Sequence, residues 1–410
     1  MNSGRRRVAV IVSHPIQYFA PLHQRLAQRN DIKFKVFFTW HAGEAPIHDR
    51  GFARDVAWDI PLTTGYCYEL VPNTAADPGM HGFFGLHNPT LIDRVTEWQP
   101  DTAIIHGWAW RSHLRALRDL PAHGIRTLLR GDSHLLGETR RGLRWHAKHA
   151  LLTRIFRWPS GFLVTGSANR AYYEAFGVPA ARLHPCPHSI DAERFAEPSP
   201  VLEAEAARWR RELGIVDDRI VVLYAGKFEP GKRPVELARA VLALERHDVM
   251  MIFVGGGELQ GDIEAIAATH PDRVRMLPFQ NQTRMPIVYR LGDVFVLPST
   301  GESWGLAVNE ALAASRPVLV SDRVGCAADV VAPDCGRVFP ADDLSALRRA
   351  LDEMTGDRAR LAAMRGAAAE QGRRFDTPAT EAALMAALDP IDGATTIGRK
   401  RMPPPAKGAF

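Results

Sequence analysis

Along this chain, short solid runs of apolar residues alternate with longer stretches whose apolar positions recur every three to four residues. The first kind reads as strands buried on both faces, the second as amphipathic helices. In the first half the runs fall at 7–12, 34–39, 102–106, 127–130 and 162–165, with helical stretches at 20–28, 111–120, 140–156 and 168–176. The second half repeats the rhythm. Strands are expected at 220–225, 250–254, 275–277, 294–297 and 318–321, and helices at 234–246, 259–269, 306–314, 344–353 and 358–371. Such alternation predicts an α/β protein with doubly wound parallel sheets. Residues 42–88, rich in Gly, His, Pro and aromatics, keep no period and are expected as loops with short strands.

A chain of 410 residues is too long for one ordinary core. The pattern divides it into an N-terminal Rossmann-like domain over 1–195 and a second over 210–375. Four prolines mark 185–207 as the linker. A C-terminal helix is expected over 376–389, and a disordered tail over 390–410, where Gly, Lys and Pro accumulate.

Composition narrows the class without choosing a function. Hydrophobic residues make up 46% and charged residues 24%, as in globular proteins. No apolar run reaches the length of a membrane span. The basic start runs straight into a strand, without the apolar segment and small-residue cleavage site of a secretion signal. Cys67, Cys186, Cys326 and Cys335 are scattered, which suits reduced thiols in a cytoplasm. The net charge of +5 fits anionic partners in general.

In doubly wound sheets, ligands bind beyond the carboxyl ends of the strands. Polar residues and glycines collect there: Ser13-His14-Pro15, His106-Gly107 and Arg130-Gly131-Asp132 in the first half, Gly226-Lys227, Gly255-Gly256-Gly257 and the run from Ser299 to Gly305 in the second. Two facing sets of strand ends imply a cleft between domains.

The most specific segment runs from Pro298 to Glu310. A strand ends, a small-residue turn follows, and a helix opens near Gly305, whose free N–H groups and positive dipole end favour an anion. Glu302 precedes the helix and Glu310 lies about one turn into it. Carboxylates beside a phosphate site repel the phosphate unless they bind something else, and diols are the obvious partner for acceptor-only oxygens. A phosphate centre with diols at both ends describes a nucleoside diphosphate sugar. The competing reading makes Glu302 a helix-start acid and Glu310 part of a solvated face. The second segment, Gly226 to Pro234, places Lys227 directly after a strand and Lys232 just before a helix opened by Pro234. Both lysines can point at one diphosphate.

Gly226-Lys227 and Lys232, followed by Glu302 and Glu310, resemble the retaining glycosyltransferases of family 4, which have the GT-B fold. Ser13 to Pro21, Gly85 to Pro89, Arg130 to Ser133 and Asp191 look like one subgroup of them, and the resemblance covers about 8–375. It implies that Lys227 and Lys232 hold the diphosphate, that Glu302 binds the transferred sugar, and that Glu310 binds the ribose. Backbone N–H groups of Trp304, Gly305 and Leu306 would take the distal phosphate, with Gly226 and Ser303 completing the donor site. It implies retention of configuration and no metal or other cofactor. The commoner family residue at Lys227 is Arg. Ser13-His14-Pro15 stands where many relatives have glycines, and Arg130 or Gly131 near a usual His, so His14, His106 and Arg130 remain candidates for a first-domain catalytic group.

Other features weigh less. His184-Pro-Cys-Pro-His188 invites a metal, but its prolines and the lack of a second ligand cluster favour a loop. The stretch 140–156 carries Arg140, Arg141, Arg144, Lys148 and Arg154 around Leu143, Ala147, Leu151 and Ile155. It reads equally as a helix resting on an anionic membrane or as a packing helix with a solvated basic face. No nucleic-acid motif accompanies these charges. A dinucleotide-dependent oxidoreductase is disfavoured because residues 8–21 contain no glycine. A nucleotide-sugar epimerase or hydrolase, and an inactive nucleotide-sugar-binding protein, are the alternatives. The acceptor is unspecified: a glycan, lipid-linked or small-molecule partner, met in the cytoplasm or at the inner membrane face. Aromatics Trp58, Tyr66, Tyr68, Phe83 and Phe84 are the expected acceptor-side surfaces.

Overall fold

The computed structural model describes residues 5–41, 46–138, 141–195, 199–215 and 219–389. The expected tail over 390–410, Arg140, and residues 42–45 of the aperiodic segment lie outside them.

The first domain is built from β1 (Arg6–Val12), β2 (Ile32–Phe38), a hairpin of β3 (Ile47–Asp49) and β4 (Arg54–Val56), then β5 (Tyr68–Leu70), β6 (Thr102–His106), β7 (Arg126–Gly131), β8 (Gly161–Val164) and β9 (Leu183–Pro185). All but the hairpin form one parallel sheet in the order β5-β2-β1-β6-β7-β8-β9. The second domain has β10 (Ile220–Lys227), β11 (Val249–Gly256), β12 (Val274–Pro278), β13 (Val294–Leu297), β14 (Val318–Ser321) and β15 (Gly336–Phe339). These run parallel in the order β12-β11-β10-β13-β14-β15.

Solid apolar runs form the central strands because both faces are covered. Val8 to Val12 and Val221 to Tyr224 are buried residue after residue. The strands absent from the sequence reading are edge or near-edge ones of three or four residues. Tyr68–Leu70, Leu183–Pro185 and Gly336–Phe339 each carry a Pro, Gly or charged residue that breaks the apolar run.

The linker expected over 185–207 is corrected at its far end, where helix Pro200–Glu212 begins. Pro200 sits in its first turn and the Ser199 side chain accepts from the Leu202 N–H. Proline is a starting signal there, not a breaker. Helix Thr377–Leu388 returns to the first domain. Leu384, Ala387 and Leu388 join Val8, Val10 and Leu22 in one core, and Glu381 accepts from Arg25 at 2.7 Å and Arg29 at 2.9 Å. The chain therefore crosses between the domains twice.

Candidate active site

In each sheet the chain turns both ways from one strand. From β1 it adds β2 on one side and β6 on the other; from β10 it adds β11 on one side and β13 on the other. Loops leaving such a pair diverge and leave a crevice at their carboxyl ends. Lys227 ends β10, and the Ser299–Gly305 loop follows β13, so the lysine and glutamate motifs meet at the crevice of the second domain.

Lys232 is ion-paired with Glu302 there, both side chains about one-fifth exposed. Glu302 is held by its backbone on both sides: its N–H donates to the Arg323 carbonyl at 3.1 Å and its carbonyl accepts from the Gly325 N–H at 2.9 Å. From the first domain, His134 Nε2 donates to the same carbonyl at 2.9 Å, while its Nδ1 accepts from the Leu136 N–H at 3.1 Å. Those two bonds settle the tautomer of His134 and make it a brace for the Glu302 loop.

Helix Leu306–Ala313 then opens from Gly305, whose φ of +100° suits glycine. A Cβ there would lie 2.8 Å from Val324 Cγ1. The Val308 N–H donates to the Gly305 carbonyl at 2.9 Å, which leaves the Leu306 and Ala307 N–H groups without an acceptor in the helix, by geometry. Trp304 is buried and anchors the turn through Nε1 to Asn309 Oδ1 at 3.0 Å. Glu310 keeps partial exposure as a residue, but its carboxyl group is enclosed and burial raises its pKa. The Tyr289 hydroxyl donates to it at 2.6 Å.

The first domain faces this array across a narrow cleft. Ser303 Oγ donates to Asp132 Oδ2 at 2.8 Å, and His188 Nε2 lies 3.9 Å from the same oxygen. The His188 ring packs edge-on to Tyr18 and Trp304. Burial, with the Arg130 guanidinium nearby, holds its pKa well below the ordinary value. Its Nδ1 has no partner among the described residues. Ser167 is tied to Asp329 through its N–H at 2.9 Å and its hydroxyl at 3.0 Å.

The three first-domain candidates sit differently. His14 is at the cleft, its Nδ1 2.8 Å from Ser13 Oγ and its ring stacked on His41. Burial, then the neighbouring His41, lowers its pKa to about 4, so it is neutral at physiological pH. Arg130 is 4% exposed and points into the domain, because strand side chains alternate and this one faces the core. Its guanidinium donates to the Cys186 and Pro187 carbonyls, both at 3.1 Å, and so pins the chain that leaves toward the second domain. The His106 ring is edge-on to Phe19, with its pKa held well below ordinary by burial. Among the described residues, no group of three His, Cys, Asp or Glu is arranged to hold a metal, and His184 and His188 are not brought into one.

Between the domains lies a cavity of about 420 Å³, walled by His14, Trp40, Phe52, Trp58, Met80 and Lys227 among others. Of the expected acceptor-side aromatics, Trp58 alone lines it. Tyr66 is buried in the first-domain core, Tyr68 sits on an edge strand, and Phe83 and Phe84 are exposed elsewhere. Asp49, His134, Asp132 and His188 were not singled out for the cleft from the sequence. Asp132 alone had a signal, its place after a strand.

The two facing domains and their cleft define the GT-B fold. Solved structures share it over nearly the whole chain. The Anabaena protein HepE, in complex with UDP and glucose, superposes with a TM-score of 0.68 at 16% identity, over 94% of this chain and 99% of that one. Sucrose-phosphate synthase from Thermosynechococcus elongatus gives 0.70 at 19% identity, over 93% and 98%. Residues 205–373 match the sequence model of the family described as glycosyl transferases group 1. Among curated proteins, the chain is similar to D-inositol 3-phosphate glycosyltransferase of Nocardia farcinica, 30% identical over 58% of this chain and 55% of that protein. It is similar also to the Streptomyces avermitilis protein of that name, 33% identical over 52% and 47%. The chain thus spans about half the length of the curated relatives it matches.

Proposed function

We propose that the protein is a glycosyltransferase that moves a sugar from a nucleoside diphosphate sugar to an acceptor hydroxyl, with retention and without a metal ion. The observation that carries this reading is the convergence of Lys227, Lys232, Glu302 and the start of helix Leu306–Ala313 at one crevice. The match of 205–373 to glycosyl transferases group 1 covers this crevice, and UDP in the HepE complex makes uridine the first base to try.

In this reading the bond from the anomeric carbon to the diphosphate oxygen breaks, and negative charge grows on the departing diphosphate. Lys227, Lys232 and the helix N–H groups are fixed where that charge develops, which is the effective place for electrostatic catalysis. Glu302 and Glu310, acceptor-only when ionised, hold sugar and ribose hydroxyls. The acceptor hydroxyl attacks the anomeric carbon, and its proton passes to the released diphosphate. Retention and the family 4 assignment rest on the Lys227, Lys232, Glu302 and Glu310 pattern. The acceptor belongs in the aromatic-walled cavity, where Trp40, Phe52 and Trp58 offer faces to a sugar ring or an apolar aglycone.

The test is a thermal-shift screen of UDP-, GDP-, ADP- and dTDP-sugars, followed by transfer assays with and without EDTA. Stabilisation by one nucleotide class and acceptor-dependent turnover are expected. Donor consumption unaffected by any acceptor would instead identify a hydrolase or epimerase of the same fold. Stabilisation by none of them would remove the reading.

A further inference from the structure

The hairpin of β3 and β4, with the chain up to Asp59, leaves the first-domain sheet and lies against the second domain. Asp49 Oδ1 is 2.8 Å from Lys227 Nζ, and the Phe52 ring sits 5.2 Å from that ammonium. The Gly51 carbonyl oxygen approaches Gly257 so closely that a Cβ there would lie 2.6 Å from it. Farther along, Phe52 packs edge-on to Phe279, the Ala57 carbonyl accepts from Asn281 Nδ2 at 2.7 Å, and Asp59 accepts from the Thr283 N–H at 3.1 Å. Little of this arm is buried: His48, Arg50, Ala53, Arg54 and Asp55 are exposed. A two-stranded hairpin is barely stable by itself, so its place depends on these contacts.

Both lysines of the proposed diphosphate site therefore hold carboxylates. Glu302, on Lys232, comes from the same domain; Asp49, on Lys227, comes from the other. One ammonium cannot neutralise Asp49 and a diphosphate together, and the two anions repel. The same arm supplies Asp49, Phe52, Val56 and Trp58 to the wall of the 420 Å³ cavity.

We propose that Asp49 is an internal stand-in for the donor diphosphate. Donor binding takes Lys227 from Asp49, loosens the arm and reshapes the adjoining cavity, so that donor occupancy is communicated to the acceptor side. This rests on the assignment of Lys227 to the diphosphate. The pair is about one-third exposed at the lysine, and partly exposed ion pairs are weak, so the exchange is not a large barrier.

The experiment is calorimetric titration of UDP, GDP and ADP into the native protein, Asp49→Asn and Lys227→Ala. Asparagine keeps the oxygen that accepts from the Gly51 and Phe52 N–H groups at 2.9 and 3.1 Å, so the turn survives while the charge goes. Asp49→Asn should bind the preferred nucleotide about two- to fivefold more tightly, and Lys227→Ala more weakly than native. Hydrogen exchange over residues 48–58 should speed up when that nucleotide saturates the native protein. If Lys227→Ala weakens binding while Asp49→Asn leaves it unchanged, or nucleotide leaves arm exchange as it was, the stand-in is wrong and the donor site stands. If no nucleotide binds, or Lys227→Ala binds as native does, the donor-site reading falls and the inference with it.

Discussion

The Tyr289 hydroxyl donates to the Glu310 carboxylate at 2.6 Å, from one helix to the next. The bond occupies one carboxylate oxygen and leaves the other as the acceptor for the proposed ribose contact. It also opposes the upward pull of burial on the Glu310 pKa. Glu310→Gln should weaken UDP by about 1.5–3 kcal/mol, the worth of hydrogen bonds to a charged group. It should also erase any preference for UDP over 2′-deoxy-UDP, whereas Tyr289→Phe should have a smaller effect of the same kind. Equal discrimination by native and Glu310→Gln proteins in calorimetry would place the ribose elsewhere.

Glu302→Gln is expected to reduce transfer by orders of magnitude with the melting temperature little changed. In the proposed reading the carboxylate binds the transferred sugar, and its loop is held by bonds to Arg323, Gly325 and His134 that glutamine keeps. His134→Ala removes only the brace, so it should raise KM for the donor sugar more than it affects free UDP. Near-native turnover of Glu302→Gln in a direct transfer assay would refute its role. In the proposed reading Lys227 and Lys232 do what a metal would at the diphosphate, so transfer by the native protein should persist in excess EDTA.

Much of this cleft is legible in the sequence because its second-domain residues are local. Lys227 and Lys232 are five apart around one strand end, and Glu302 and Glu310 share a turn and its helix. Strand periodicity places both segments on the same edge of one sheet. Asp49, the pair Asp132 and His134, and His188 reach the cleft from three separate segments, and only the packing of two domains brings them there. The hairpin arm was illegible for a related reason. Its strands are three residues long, largely exposed, and rest against Lys227, Phe279 and Asn281 of the other domain. The return of helix Thr377–Leu388 was equally hidden, since Leu384, Ala387 and Leu388 mark a helix face but not its partner.

Acidification should loosen the first domain before the second. Burial lowers the pKa of His23 to about 3 and of His113 to about 4, and His106 and His188 also lie well below the ordinary value. Below an unfolded-state pKa near 6.5 the unfolded chain binds protons that these rings refuse, so stability present above that pH is lost as pH falls toward the folded values. Each of the buried pair His23 and His113 contributes a slope of about 1.4 kcal/mol per pH unit in that window. Glu310, raised by burial, acts in the opposite sense above its ordinary value, but it is a single group in the other domain. Urea unfolding at pH 7.5 and 5.5 should show this loss, and His113→Gln should flatten it. Stability constant across that interval would contradict the burial of these rings.

The basic helix, Gly142–Ile155, presents its apolar residues in an unexpected way. Trp145, Leu152 and Ile155 face the domain, with His149 bonded to the Ala175 carbonyl at 3.0 Å. Leu143 is 88% exposed and Leu151 55%, with exposed Ala147 between them at helical spacing. Of the expected stripe, only Ile155 is buried. Arg141, Arg144 and Arg154 flank the exposed leucines, while Lys148 is committed to Glu138 at 2.8 Å. An outward apolar ridge bordered by cations is the chemistry of a helix lying on an anionic bilayer. Native protein should therefore sediment with phosphatidylglycerol vesicles and less with phosphatidylcholine alone. Arg144→Glu should weaken that binding mainly at low salt, where each basic residue near the surface is worth roughly 1 kcal/mol. Leu143→Glu with Leu151→Glu should weaken it at every salt concentration, because insertion of apolar surface is not screened. UDP affinity should be unchanged in all three substitutions, since the helix lies outside the crevice. Native protein that stays in solution with every vesicle would leave the ridge without a membrane and put the acceptor among soluble molecules.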